Sequence, residues 1–431
     1  MFTTLKNAFK VKEIRNKIFI TLGILVLFRL GCWLPVPGID VSTFSESINN
    51  QSFLSLLSSL GGGALANGTF FALGVTPYIN ASIILQLLTF AIPKLQRLSQ
   101  MGEEGRKKIA KYTKYCALFL AIAQAAGICA GFSSSIKLTM FGAQLPTWLA
   151  CTFVAICLVA GAMLTYWIGE KITEIGVANG LSLLIFVGIL STAGTALLSA
   201  FTNVFSGNID SLWNILLFLA AVILIFGLIV FMDLAERKIQ VQYAKQIKGR
   251  KMYGGQSNFI PIRLLGTGVL PIIFAMSFLS FPQLIMSIFW PTSDAATWYA
   301  LHMGAGTWPY TLAMGLLILF FAYFSSQMMF NPEDVAKQIQ GNGGFILGIR
   351  PGKPTAEYLK RINNRITLFG AIFLAFIAIV PTLIFTFVAG NSGLVSAFSA
   401  TGMLIVVSVA LEFNKQLEAQ VMMKNYKGFL K

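Results

Sequence analysis

The sequence predicts an all-α, polytopic membrane protein with ten transmembrane helices and one re-entrant half-helix. Three observations predict it. Apolar residues make up 56% of the 431 residues and charged residues 11%, with a mean hydropathy of +0.74, which is too little charge to clothe a soluble globule of this size. Runs of about 20 apolar residues, long enough to cross a bilayer, fall near 18–36, 72–92, 115–135, 147–168, 180–201, 211–232, 266–290, 308–330, 366–389 and 393–411. The cations are also sorted. With a cytoplasmic N-terminus and ten alternating spans, 30 of the 32 Lys and Arg residues fall on the inner side, leaving Lys137 outside and Arg29 within the first span.

Taken in order, the chain opens with a basic cytoplasmic tail at 1–17 that carries Lys6, Lys10, Lys12, Arg15 and Lys17. The apolar run after it exceeds a signal-peptide core, contains Arg29 and leads into PVPG, not a small-residue cleavage site, so it reads as a retained span. Arg29 reads as a structural cation paired with backbone carbonyls or a partner helix. The next stretch, to Phe90, is interrupted by Gly61, Gly62, Gly63, Gly68 and Gly74, each costing a helix about 1 kcal/mol relative to Ala. It therefore reads as a half-helix near Phe53 to Leu60, a glycine-rich return and a span from Thr76. Pro77 suits the first turn of that span, and Pro93 stops it. Within lipid, irregular backbone survives only where protein or a water-filled cavity surrounds it. The break predicts a cavity.

Five spans occupy an N-terminal half at 18–201 and five a C-terminal half at 211–411, separated by an external hinge loop at 202–210 and followed by a cytoplasmic tail at 412–431. Five is odd, so any duplication sets the halves in opposite orientation. Two inner segments, 233–265 and 331–365, exceed what topology requires: both are long and basic, with tips KQIKGRKMYGG and GNGGFILGIRPGKP. They read as docking prongs for an acidic or phosphate-rich partner.

The chemistry that is absent narrows the function. The single histidine, His302, lies in an outer loop, so neither an HExxH metal site nor a histidine-activated nucleophile has a candidate within the spans. Cys32, Cys116, Cys129, Cys151 and Cys157 form no CxxC pair and read as small packing residues. GKPT at 352–355 fails the phosphate-loop pattern, so no cofactor or energy source is expected. Spans carrying no charge but Arg29 make a poor site for a small ion and suit a chain that must not stick. Ile79 and Ile83 share one helical face, while Ile185, Ile273 and Ile405 lie in other spans. Each alone is ordinary apolar packing. Converging, they would form a dewetted constriction.

The motifs FRLGCWLPVPGID (28–40), GGGAL (61–65), ALGVTPYINASIILQLLT (72–89), GEEGRKKIAKYTKY (102–115), GEKITEIGVANGLSLLIFVGI (169–189), NFIPIRLLGTGVLPIIFA (258–275), NPEDVAKQIQGNGGFILGIRPGKPT (331–355) and GMLIVV (402–407) carry a family resemblance. Over essentially its whole length the chain resembles the bacterial SecY family, the central subunit of the Sec protein-conducting channel. The resemblance implies two inverted, pseudo-symmetric halves of five helices around an hourglass pore in the bacterial cytoplasmic membrane, both termini cytoplasmic. It implies a plug at about 53–65, with Phe53, Leu54, Leu56, Leu57, Leu60, Gly61, Gly62 and Gly63, and a pore ring of Ile79, Ile83, Ile185, Ile273 and Ile405. A lateral gate for signal sequences is implied between spans 76–92 and 115–135 on one side and 266–290 and 308–330 on the other, with Asn80, Gln86 and Phe281 facing it. Arg250, Lys251 and Arg350 mark the implied docking sites for the ribosome and the SecA motor. Further implied partners are SecE and SecG as a heterotrimer, signal peptides and unfolded chains, SecDF, YidC and membrane lipids.

The expected function is a passive, non-enzymatic channel: unfolded chains cross between the halves and apolar segments leave sideways into lipid. The alternative is a secondary transporter of small solutes, which also uses broken helices between inverted halves. The missing intramembrane acid and the large basic prongs argue against it.

Overall fold

A computed structural model describes residues 2–49, 58, 61–132, 135–136, 139–140, 143–144, 146–205, 210–243, 246–248, 251–253, 257–266, 268, 270–289, 294–304, 307–389 and 400–428. Fifteen helices are described in chain order: α1 Phe2–Lys10, α2 Lys12–Gly31, α3 Val41–Asn49, α4 Thr76–Ala91, α5 Pro93–Gln100, α6 Glu103–Gly131, α7 Thr147–Ile175 and α8 Gly180–Phe205 come first. Then follow α9 Asp210–Asp233, α10 Leu270–Phe289, α11 Asp294–His302, α12 Trp308–Met329, α13 Pro332–Gly341, α14 Lys353–Ala389 and α15 Ala400–Gly428. The strands are β1 Thr139–Met140, β2 Ala143–Gln144, β3 Glu236–Tyr243, β4 Gln246–Lys248, β5 Lys251–Tyr253, β6 Ser257–Arg263 and β7 Gly344–Phe345.

Among the described residues six helices are long and apolar enough to cross a membrane, and a seventh span exists if α4 and α5 are taken together. The other three expected spans fall on α2, which carries Arg15, Lys17 and Arg29, on α10, where the apolar run is Leu270–Leu279, and on α15, which begins at Ala400. Pro93 does more than stop a helix. The chain bends by 107° at Ile92, and Pro93 opens α5, where its missing N–H needs no partner. Helices α6 and α14 begin 12 and 13 residues before the apolar runs they contain, because the Glu, Lys, Arg, Ala and Leu residues of GEEGRKK and KPTAEYLKR favour helix, and Pro354 falls in a first turn where it is tolerated.

Contacts divide the chain into two compact units. The first comprises Met1–Ile215, Ser277–Tyr310 and Ala389–Lys431. Its core lies between α6, α7 and the turns around 65–73, where Ala121, Ala125, Ala150, Val154, Leu158 and Ala162 are buried with Phe44 and Ile48. Small residues let these helix backbones approach closely. The clearest case is Gly161, where any Cβ would run into the Phe70 carbonyl. Helix α8 starts where it does because Asn179 Oδ1 accepts from Leu181 N at 3.1 Å and Thr173 Oγ1 accepts from Gly180 N at 2.8 Å. At the ends of the chain α1 lies on α15, and Ala8 of α1 with Ile14 and Ile18 of α2 is buried in one cluster with Leu417 and Val421, Thr4 Oγ1 donating to Glu418 at 2.9 Å.

The second unit comprises Leu216–Met276 and Thr311–Val388. The sequence treats 233–265 and 331–365 as separate prongs, whereas the structure joins them. Strand β3 pairs antiparallel with β6 from Glu236↔Arg263 to Gln242↔Ser257, and its end pairs with β7 at Gln242↔Phe345 and Tyr243↔Gly344, giving the order β6-β3-β7. Pro261 is tolerated because β6 is an edge strand. Alternation along β3 turns Ile239 and Val241 inward, onto Ile262, Ile339, Ile346 and Leu359. Helix α13 is set by NPED: Asn331 accepts from Glu333 N at 3.2 Å, Pro332 takes the first helical position, and Glu333 and Asp334 complement the helix dipole.

Candidate functional site

The glycine-rich break is a buried chain of turns. Gly62, Gly63, Gly68 and Gly74 take φ of 74°, 81°, 56° and 52°, a region that a side chain disfavours. Gly62, Ala64, Leu65, Thr69 and 72–75 are buried, so protein encloses the irregular backbone. Local bonds hold it: Gly63 N to Ser58 O at 2.8 Å, Ala66 N to Ser58 Oγ at 3.1 Å and Thr69 N to Ala64 O at 3.1 Å. Before it, Val36 N reaches Gly68 O at 2.9 Å and Phe70 N reaches Leu34 O at 3.1 Å, so PVPG runs alongside the return. Among the candidate plug residues, Gly61, Gly62 and Gly63 are described, whereas Phe53, Leu54, Leu56, Leu57 and Leu60 lie outside the described residues.

Arg29 is the cation of this site. Its Nη1 donates to Gly62 O at 2.9 Å, the backbone-carbonyl pairing expected of an intramembrane arginine. No side chain fits at Gly62: a Cβ would meet the Arg29 guanidinium and lie 3.1 Å from Gly188 Cα. A Cβ at Gly63 would come within 4.0 Å of Thr192 Cγ2. Ile185, Gly188 and Thr192 are spaced i, i+3, i+7 on α8, so the turn lies against the face of α8 that carries Ile185. Gly188 is a partner that the sequence reading missed. The signal was a small residue one turn after a ring candidate.

The ring candidates lie on four helices. Ile79 and Ile83 are on α4, the first partly buried and the second 4% exposed; Ile185 on α8 is partly buried, and Ile405 on α15 is 5% exposed. Helices α8 and α15 are in contact, and α4 packs on α6. Ile273 on α10 belongs to the second unit and is partly open between the buried Ile272 and Phe274.

Asn80, one residue from Ile79, accepts at Oδ1 from Ser277 Oγ at 3.1 Å, a bond that joins α4 to α10. Ser277 is the second missed residue. A lone hydroxyl in the apolar run 270–279 was its signal. Gln86 is partly buried two turns further along α4, and the side chain of Phe281 lies outside the described residues. A third group escaped the sequence reading. Lys114 on α6 pairs with Glu170 on α7 at 2.9 Å and sits 5.3 Å from the Tyr166 ring centre, which in turn lies 4.6 Å from that of Tyr78 on α4. Three helices are tied there at the residue before Ile79, although Lys114 reads from sequence only as a topology marker and Glu170 is given no role.

Among the docking candidates Arg350 is exposed in the turn between β7 and α14, and its carbonyl accepts from Thr355 Oγ1 at 2.8 Å. Gly348 and Gly352, with φ of 78° and 99°, shape that turn. Lys251 opens β5, which pairs with β4 in a two-stranded tip; its side chain and all of Arg250 lie outside the described residues.

Comparison with known proteins fits this arrangement. The SecY family model matches residues 69–414. A protein translocase subunit SecY from Streptomyces coelicolor is 41% identical over 443 residues, and that from Halalkalibacterium halodurans is 39% identical, each alignment covering 100% of both chains. Among solved structures, a protein-conducting channel aligns with a TM-score of 0.65 at 20% identity, covering 92% of this chain and 90% of the other. Sec61 from a canine ribosome–channel complex aligns with a TM-score of 0.58 at 18% identity, covering 92% and 90%. The two structures share the fold with this chain. By family model and by full-length identity, the chain belongs to the SecY family.

Proposed function

We propose that this chain is the central pore-forming subunit of a Sec translocon, passing unfolded secretory polypeptides across the bacterial cytoplasmic membrane and releasing apolar segments into lipid. The observation that carries the reading is the buried glycine loop tied by Arg29 to Gly62 O, in a chain whose relatives are protein translocase subunits. Irregular backbone at membrane depth is tolerated only where protein encloses it, and a stopper seated in a pore meets that condition. In this reading residues 53–65 are the plug, and Ile79, Ile83, Ile185, Ile273 and Ile405 form the dewetted ring. The halves 18–201 and 211–411 part about 202–210, and the Asn80–Ser277 bond lies in the lateral gate. No observation favours the small-solute transporter.

The joined sheet and the exposed Arg350 form the cytoplasmic docking surface for SecA or the ribosome. A ribosome-bound Sec61 channel of the same fold supports that assignment. SecE and SecG complete the heterotrimer, both termini are cytoplasmic, and work comes from the docked partner. The test is reconstitution with the small partner subunits and a motor ATPase. A signal-bearing precursor is expected to become protease-protected on ATP addition, and an intact complex that protects none defeats the proposal.

A further inference from the structure

Two of the five cysteines face each other. Cys129 lies in the last turn of α6 and Cys151 in the second turn of α7, the two ends that flank the loop 132–146. Cys129 Sγ approaches Cys151 O at 3.5 Å, and Cys151 Sγ approaches Cys129 O at 3.8 Å. These reciprocal contacts bring each sulfur up to the backbone of the other residue, the neighbourhood a disulfide needs. Ala125 and Ala150, both 1% exposed or less, sit beside them and let the helices approach. The sulfurs differ in access. Cys129 is 4% exposed, whereas Cys151 is only partly buried.

We propose that Cys129 and Cys151 form a reversible dithiol–disulfide pair that staples α6 to α7, with Cys151 as the entry sulfur and Cys129 as the resolving one. The oxidant is a disulfide, either a small one or one carried by an oxidoreductase. Cys151 as thiolate attacks one sulfur of the oxidant, forming a mixed disulfide and expelling the other sulfur as a thiol that takes up a proton. Cys129 then loses its proton and attacks Cys151 Sγ, closing the intramolecular bond and expelling the second thiol. Two protein thiols are oxidised and one disulfide is reduced, with no electron unaccounted for. Attack falls to Cys151 because its sulfur, near the end of α7, is the less buried of the two. Nothing in this chemistry depends on the channel reading, so failure of one leaves the other standing.

The experiment treats the folded, reconstituted protein with oxidised glutathione and maps cysteines by mass spectrometry without reduction. A peptide pair linked through Cys129 and Cys151 is expected, lost on adding dithiothreitol. In Cys129→Ser, glutathione should accumulate on Cys151. In Cys151→Ser, Cys129 should be modified roughly tenfold more slowly than Cys151 is in the first variant. A folded protein that gives no linked pair, while the same protein in denaturant does, overturns the proposal. Equal modification rates in the two variants overturn the order of attack.

Discussion

The glycine loop at 61–75 and the cytoplasmic sheet of β3, β6 and β7 are both irregular insertions in a helical chain, yet they are held in opposite ways. The loop is buried and fixed by a few specific contacts: one arginine on one carbonyl, a serine on two backbone amides and four glycines with positive φ. The sheet is fixed by a seven-residue ladder over an apolar underside, and its other face and turns stay exposed. In the proposed function the loop leaves its seat, which suits contacts that break together, and the sheet bears load from a partner, which suits many. Substitution should therefore act on sealing in the first region and on engagement in the second.

The largest effect is expected at Gly62. Replacing it by Val forces a side chain into a left-handed backbone, at roughly 1–2 kcal/mol, and into the Arg29 guanidinium. The closed channel should leak ions in planar-bilayer recordings; a tight Gly62→Val channel would mean that the turn is no part of the seal. Arg29→Met comes next. It removes a charge-assisted bond to a buried carbonyl, worth about 1.5–3 kcal/mol, and should raise closed-state conductance less than Gly62→Val. Both variants should keep motor binding, since neither touches the sheet.

Much of this contrast was legible in the sequence. The triple glycine, Pro77 and the lone Arg29 foretold a broken, enclosed segment because each residue type has one main physical use there. Helix ends were less legible: the onset of α6 at Glu103 and α14 at Lys353 depends on charged helix formers that a scan for apolar runs ignores. The β3–β7 pairing was invisible because its partners, Tyr243 and Gly344, are a hundred residues apart and β7 has two residues. Gly188, Ser277 and the Lys114–Glu170 pair were missed for a shared reason: each matters through a partner on another helix, which spacing along one helix does not reveal.

Arg350→Glu tests the other side of the comparison. Reversing an exposed tip charge alters the field met by an incoming partner and mainly its association rate. Motor-driven transport should fall by about tenfold, equivalent to about 1.4 kcal/mol, more steeply at low salt, while closed-state conductance stays at the wild-type level. Leakage in this variant would merge the two regions into one function.

The smallest effect is expected at Asn80 and Ser277, where a single neutral bond joins α4, which carries the ring candidates Ile79 and Ile83, to α10. Such a bond contributes about 0.5–1.5 kcal/mol, so Ser277→Ala should bias the proposed gate toward opening by between about twofold and just over tenfold. A strong signal sequence, already well above threshold, should be handled as before. A marginal one, shortened by two or three leucines, should gain export in Ser277→Ala, and Asn80→Ala should match it. The double variant should add nothing further if the bond is the only coupling between the two residues. Additive gains would show that each residue acts through a different partner, and a loss of export in either would place the bond on the opening side of the equilibrium.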